Sequence, residues 1–328
     1  MVYSRENAPH IKSADSIRVT MIDVLIALGG LLFLAAFYHG MRAVSLTCVS
    51  VIACVAFEFF YNIIFKQKQT AGDFSAAVTG VVLAMLLPVS VPLWYPVVAA
   101  FVGIVICKML FGGLGKNIFN PALVGVAFLS VSGSSRMIQF SAPLANIKLP
   151  VFGHPGEFDM ATPVMEALKN GNTPTPTAFE MFIGNQPGAL GTTCALLIAA
   201  ASLYLIYRRI ISVHIPLAFL GTVAVVALLF PRIPEGAPLY HSMLFELLGG
   251  SVIFCSIYAA TDPVTSPIAG WAKVIFGIGC GLLTMLIRHF GSFAEGAIFA
   301  ILIMNALTFA LDKMMWRLKS RGGVLNEK

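Results

Sequence analysis

The sequence predicts an all-α, polytopic membrane protein with ten transmembrane helices, and three observations carry that expectation. The chain of 328 residues is 58% hydrophobic and only 11% charged. Its mean hydropathy is +0.87. Charge-poor runs of roughly 17–20 residues, the length that crosses a ~30 Å hydrocarbon core, recur from Met21 to Leu311. A soluble chain of this size would alternate wet and buried faces instead. The net charge of +6 sits largely in short connections and at the two ends, so it reports topology rather than nucleic-acid binding.

The apolar segments lie near 21–38, 43–65, 74–90, 92–111, 119–132, 190–207, 213–231, 243–260, 271–288 and 294–312. The first twenty residues are polar and lack the layout of a signal peptide, so the first apolar run reads as a retained helix. Segments 74–90 and 119–132 are short or interrupted by Gly and Pro, as in discontinuous helices whose freed backbone groups are satisfied inside the protein. The division that follows is an N-terminal segment 1–20, a first five-helix unit 21–132, a polar connection 133–189, a second unit 190–312 and a tail 313–328.

Charge asymmetry sets the expected orientation. With the N-terminus inside, 15 Lys and Arg face the cytoplasm: Arg5, Lys12, Arg18, Lys66, Lys68, Lys108, Lys116, Arg208, Arg209, Lys273, Lys313, Arg317, Lys319, Arg321 and Lys328. Six face outward: Arg42, Arg136, Lys148, Lys169, Arg232 and Arg288. Both termini are then cytoplasmic and residues 133–189 extracytoplasmic. Pro88-Val89-Ser90-Val91-Pro92 is echoed 175 residues later by Pro263-Val264-Thr265-Ser266-Pro267. Each is followed by a long apolar run and a Phe-Gly pair, at Phe111 and at Phe290. Five helices per half place the second copy upside down, an inverted-topology repeat.

Several residues stand out chemically. In HPGEFDMATPVMEALKNGN (154–172), Thr162 before Pro163 reads as the N-cap of a short helix over 163–169, and a helix N-terminus is also a place where a phosphoester on its hydroxyl would be well placed. In GGLGKNIFNPA (112–122), glycines permit close approach, and Asn117 and Asn120, three apart on one helical face, either meet a polar heterocycle or cap and satisfy broken backbone. In ATDPVT, Asp262 beside Thr261 and Thr265 either handles a cation or caps a helix. Glu58 and Glu246 lie within apolar segments, where each serves an ion path or pairs with a polar neighbour. The six cysteines form no CxxC pair and have no His at ligand spacing, so they read as packing residues, with no disulfide and no metal site. No Ser-His-Asp set, GxGxxG or nucleotide-hydrolysing motif is present.

Taken together, FGGLGKNIFNPA, HIPLAFLGT (214–222), ATDPVTSP (260–267) and IRHFGSFAEGAIFAILIMNALTFALD (287–312) resemble the RnfD/NqrB family of ion-translocating electron-transport complexes, over about residues 20–315. The absence of a longer N-terminal extension makes the RnfD branch the better match. The resemblance implies two inverted five-helix repeats, similar to urea transporters, in the inner membrane. It implies FMN joined by a phosphoester to Thr162 by a separate flavin transferase, and a non-covalent riboflavin at Asn117 and Asn120, with Gly112, Gly113 and Gly115. The family's attachment pattern, D-x-x-[ST]-x-A-T, is kept at Ala161 and Thr162, while Gly156 and Asp159 depart from it. Thr173, Thr175 and Thr177 lack the preceding Ala. Implied partners are RnfA, RnfB, RnfC, RnfE and RnfG and membrane lipid. The implied role is a flavin-carrying component that couples ferredoxin/NAD electron transfer to Na+ or H+ transport. A passive channel for a small polar solute, on the same inverted repeat, and a cofactor-free scaffold are the competing readings.

Overall fold

Gly40, at φ 69, reverses the chain between the first two apolar helices, α1 (Ile17–His39) and α2 (Met41–Ile64). The structure is a computed structural model and describes residues 17–144, 160–232 and 238–325. The predicted features at Arg5, Lys12, Lys148, Gly156, Asp159 and Lys328 lie outside those residues.

Three further helices complete the first half: α3 (Ser75–Met85), α4 (Trp94–Met109), whose second part Phe101–Met109 is π-helical, and α5 (Pro121–Ser132). The connection to the second half carries α6 (Ser134–Met137), the strands β1 (Phe140–Ser141) and β2 (Met160–Ala161), and the short helices α7 (Val164–Lys169) and α8 (Ala178–Ile183). The second half is α9 (Ala195–Tyr207), α10 (His214–Leu229), α11 (Leu239–Leu248), α12 (Val252–Ala259), α13 (Gly270–Phe290) and α14 (Ala297–Leu325). Each of the ten apolar segments coincides with a helix, and 243–260 is split into α11 and α12, bent by 61° at Gly249–Ser251. Ile17–His39, Met41–Ile64, Gly270–Phe290 and Ala297–Leu318 are long and apolar enough to span a bilayer, and the α11–α12 pair makes a fifth such span. The chain is a multi-pass, all-α membrane protein.

Glycines let the helices approach. A Cβ on Gly125 would lie 2.5 Å from the Ala99 carbonyl, and one on Gly80 would lie 2.7 Å from the Val51 Cα, so α5 meets α4 and α3 meets α2 nearly backbone to backbone. In the second half, Gly277 and Gly281, one turn apart on α13, do the same against Ala218 and Thr222 of α10. One core then runs through both halves, with Leu28, Leu83, Leu123, Phe219, Phe254 and Phe276 fully buried.

The helix breaks are closed by hydrogen bonds from elsewhere in the chain. After α3, the Met85 and Leu87 carbonyls accept from Gly191 N (2.8 Å) and Leu190 N (3.1 Å), and Val91 O accepts from the Arg42 guanidinium (3.0 Å). After α12, Thr265 O accepts from the Thr308 hydroxyl (2.9 Å), and Asp312 accepts from Ile268 N and Ala269 N (3.1 and 3.0 Å). All six cysteines are free thiols, five of them buried.

Gly281→Val forces α10 and α13 apart, since its side chain has no space against Thr222. The expected loss is about 1–3 kcal/mol, the usual cost of overpacking. It reads out as a lower thermal midpoint in detergent, with Gly221→Ala, where nothing lies within 4 Å, as the tolerated control.

Candidate functional site

At the end of the bundle that carries the 133–194 connection, the ladder Phe140↔Ala161 and Ser141↔Met160 fixes the backbone immediately before Thr162. Immediately after it, α7 is pinned by Val164, Met165 and Leu168 packed on Met181, Phe245 and Leu248. Thr162 is therefore held on both sides. It does not cap: Pro163, with ψ 151, is the N-cap residue, and α7 starts at Val164, one residue later than predicted. The proline's extended backbone moves the helix start off the Thr-Pro pair. With that role gone, the exposed Thr162 hydroxyl has no hydrogen-bond partner among the described residues. Thr177 differs. It caps α8 through a capping box, donating to Glu180 Oε2 at 2.9 Å and accepting from Glu180 N at 3.3 Å. Its backbone N–H, bonded to the Glu180 carboxylate at 2.7 Å, and its hydroxyl hold that carboxyl below the usual range.

Beside Thr162 lies a cavity of about 510 Å³. Pro163, Val164 and Met165 form one wall, and Leu86, Val126 and Ile298 form an apolar floor contributed by both halves. Lys169, Asn170, Ser251 and Glu295 supply polar groups. The Glu295 carboxylate accepts from Ser251 N (3.1 Å) and Ser251 Oγ (2.8 Å), and the Lys169 ammonium donates to Ser292 O. Gly250 is favoured at the bend by its φ of 71, where a Cβ would also press on the Glu295 carboxylate.

The second site gathers residues at the opposite end. Gly112, Gly113 and Gly115 all have positive φ (105, 88 and 88), so the loop after α4 folds through left-handed turns that favour glycine. Asn117 and Asn120 do not share a helical face. Asn117 lies in the loop, and Asn120 is the N-cap of α5, accepting from Ala122 N at 3.0 Å and Leu123 N at 3.4 Å. The Asn120 Nδ2 group donates to Ala259 O (3.4 Å) at the end of α12. That bond brings the GGLGKNIFNP and ATDPVT strings together across the two halves. Asn117 donates to Phe119 O (3.1 Å), and its buried Oδ1 has no partner among the described residues. Asp262 accepts from the Thr265 hydroxyl (2.9 Å), while Thr261 donates back to Ile257 O.

The intramembrane glutamates are both paired. Glu58 accepts from Lys108 Nζ at 2.8 Å, and that ammonium also donates to Ser75 Oγ at 2.7 Å. Glu246 accepts from Arg288 and Arg232, each at 2.8 Å. Lys108 and Arg288 emerge as partners only from the packing. Their sequence signal is a basic residue two or three positions before each Phe-Gly pair, at mirrored places in the two halves.

The model of the NQR2, RnfD, RnfE family matches residues 4–319. The chain belongs to that family. It is 36% identical to the D subunit of an Na(+)-translocating ferredoxin:NAD(+) oxidoreductase complex from Acetobacterium woodii, covering 94% of this chain and 92% of the relative. It is 33% identical to the D subunit of the proton-translocating ferredoxin:NAD(+) oxidoreductase complex of Clostridium ljungdahlii, covering 95% and 94%. The D subunit of an ion-translocating oxidoreductase complex from Halorhodospira halophila is 30% identical, over 93% and 91%. Membership agrees with the resemblance carried by the four strings.

Removing one member of a buried ion pair leaves the other unpaired. Lys108→Met is therefore expected to cost about 3–5 kcal/mol, and Lys108→Met with Glu58→Leu to recover most of it. Thermal unfolding of the single and double variants measures this. A single variant as stable as the parent would show that the pair is not holding α2 to α4.

Proposed function

We propose that this chain is the flavin-carrying membrane component of an ion-translocating oxidoreductase complex, with FMN esterified to Thr162. The observation that carries the reading is an exposed threonine hydroxyl, fixed on both sides and unbonded among the described residues, on the residue preceding Pro163 in the wall of a cavity built by both halves. The cavity volume lies within the ~300–1,000 Å³ typical of small-molecule sites. FMN supplies reversible one- and two-electron chemistry when bound. The chain's own residues do the rest. The ladder and α7 hold the attachment point, Leu86, Val126 and Ile298 line the cavity with apolar surface, and Lys169 and Asn170 offer hydrogen bonds to a polar ring edge. Thr177 is a poorer attachment point, because its hydroxyl is spent on the capping box.

At the other end, the family resemblance assigns riboflavin to Asn117 and Asn120. The unpartnered buried Asn117 Oδ1 fits a heterocycle that donates to it. Asn120 fits less well, since its carboxamide already serves α5 and Ala259. The proposed riboflavin is therefore held by Asn117 and by the backbone of Gly112, Gly113 and Gly115, with Asn120 positioning the loop. Asp262, with Thr261 and Thr265, is proposed as the entry of the ion path. The named relatives translocate Na(+) in one case and protons in another at similar identity, so the proposal is for Na+ or H+.

The arrangement proposed is ten membrane crossings in two inverted five-helix repeats, urea-transporter-like, in the inner membrane, with both termini cytoplasmic. It is supported by a helix break in each half at the repeated Pro-rich strings. The relatives are named as parts of ferredoxin:NAD(+) oxidoreductase complexes. On that basis the partners are RnfA, RnfB, RnfC, RnfE and RnfG, and a flavin transferase matures the chain.

Intact-mass analysis and in-gel flavin fluorescence of protein made alongside a flavin transferase test the attachment. The wild type and Thr162→Ser should carry one FMN through denaturation, Thr177→Ala should keep it, and Thr162→Ala should lose it. An unmodified wild-type mass with an active transferase would sink the covalent assignment.

A further inference from the structure

Asn305 lies in the apolar part of α14, 2% exposed, and neither its Oδ1 nor its Nδ2 has a hydrogen-bond partner among the described residues. A buried carboxamide with both ends unpaired is costly in an apolar surrounding and is retained where something else meets it. Its place in the bundle says what that is. Seven residues separate Asn305 from Ile298, and seven residues are close to two full turns, so both lie on one face of α14, about 10 Å apart along the axis. Ile298 lines the cavity beside Thr162. Three residues the other way, also on that face, Thr308 donates to Thr265 O at 2.9 Å, and Thr265 donates to Asp262 Oδ2 at 2.9 Å. Asn305 thus sits one turn beyond the end of a hydroxyl track that starts at Asp262. Ile301, fully buried one turn further along, separates it from the cavity. On α12, the Tyr258 hydroxyl is likewise buried and unpartnered among the described residues, one turn before Thr261 and Asp262.

We infer that Asn305 is a station on a monovalent-cation path through the bundle, taking a partly dehydrated cation on its carboxamide oxygen. The chemistry favours a cation. A carboxylate stands at the entry, and neutral oxygens from Thr265, Thr308 and Tyr258 follow it. The nearby ammonium, that of Lys108, is already bonded to Glu58 and Ser75. Water travelling with the cation accepts from Asn305 Nδ2. Ile301 then acts as an apolar plug between this station and the cavity. The inference rests on the proposed reading of Asp262 as the ion entry.

The test uses the complete complex in proteoliposomes, following uptake of radiolabelled Na+ and internal acidification per electron transferred. Asn305→Leu keeps the branched shape of the side chain in a larger volume and removes both unpaired groups, so its thermal midpoint should stay close to that of the wild type, with Asn305→Ala as the check on the added bulk. Its ion uptake per electron should fall at least about tenfold, the loss of one charge-assisted oxygen contact. Asn305→Asp, which keeps an oxygen there and adds charge, should restore uptake with a lower half-saturating cation concentration. Flavin content should be unchanged in both variants. Wild-type uptake in Asn305→Leu overturns the inference, and so does failure of both Asn305→Leu and Asn305→Ala to assemble, which would make the carboxamide a structural support. Asp262→Asn separates the two claims. If it too transports normally, the ion reading of that helix break fails as well, whereas impairment of Asp262→Asn alone confines the failure to Asn305.

Discussion

Backbone at a helix break inside an apolar protein must find its partners within the chain, because no water is there to pair a free carbonyl or N–H. The first break sits after Met85, and the second after Ala259. The carbonyls of Met85 and Leu87 take their hydrogen bonds from Gly191 and Leu190, which belong to the other half of the chain. Ala259 is met by Asn120, again from the opposite half. Neither half is complete alone. The cavity floor likewise takes Leu86 and Val126 from the first half and Ile298 from the second.

Within that frame, the acidic groups sort by the company they keep. Glu58 and Glu246 are matched by buried cations, Asp23 by Arg208 and the Tyr204 hydroxyl, and Asp312 by two backbone N–H groups. In pairs of this kind each carboxylate already has its cation, which fixes helix against helix and leaves no vacant charge for a passing ion. Asp262 differs. Its carboxylate accepts from the Thr265 hydroxyl and from the Thr265 and Val264 backbone N–H groups, with no basic side chain bonded to it among the described residues, at a junction where two separated strings meet. The contrast argues for Asp262 over the glutamates as the group that exchanges partners.

Much of the fold is legible because apolar length and proline punctuation are local signals. The ten segments, the breaks at Pro88–Pro92 and after Thr261, and the positive-φ loop at Gly112–Gly115 all follow from short-range rules. The bend at Gly249–Ser251 escapes a hydropathy reading, which runs smoothly through 243–260, although its Gly-Gly-Ser string announces it. At the candidate site, Thr162 is legible as a residue but not as a free hydroxyl, since Pro163 shifts the cap by one position. The cavity is invisible in the sequence. Its walls come from stretches more than 150 residues apart, and no periodicity encodes which of them meet. Spacing alone pairs Asn120 with Asn117 on a helix, whereas the Asn-Pro step makes Asn120 a cap and leaves Asn117 with an open acceptor.

The helix that joins the two ends of the molecule is α12, which runs only from Val252 to Ala259. Ser251 at one end is bonded to Glu295 on the cavity wall, and Asp262 follows the other end. The helix itself is ~12 Å long at an α-helical rise and somewhat shorter where Cys255–Ala259 is π-helical, so groups just beyond its two ends lie on the order of 15 Å apart. At an effective dielectric of ~20, a unit charge at one end changes the energy of a charge at the other by about 1 kcal/mol. That is roughly a fivefold change in cation affinity, without any displacement of the helix. On the proposed reading, in which the cavity takes up charge and Asp262 holds a cation, this separation alone would couple the two.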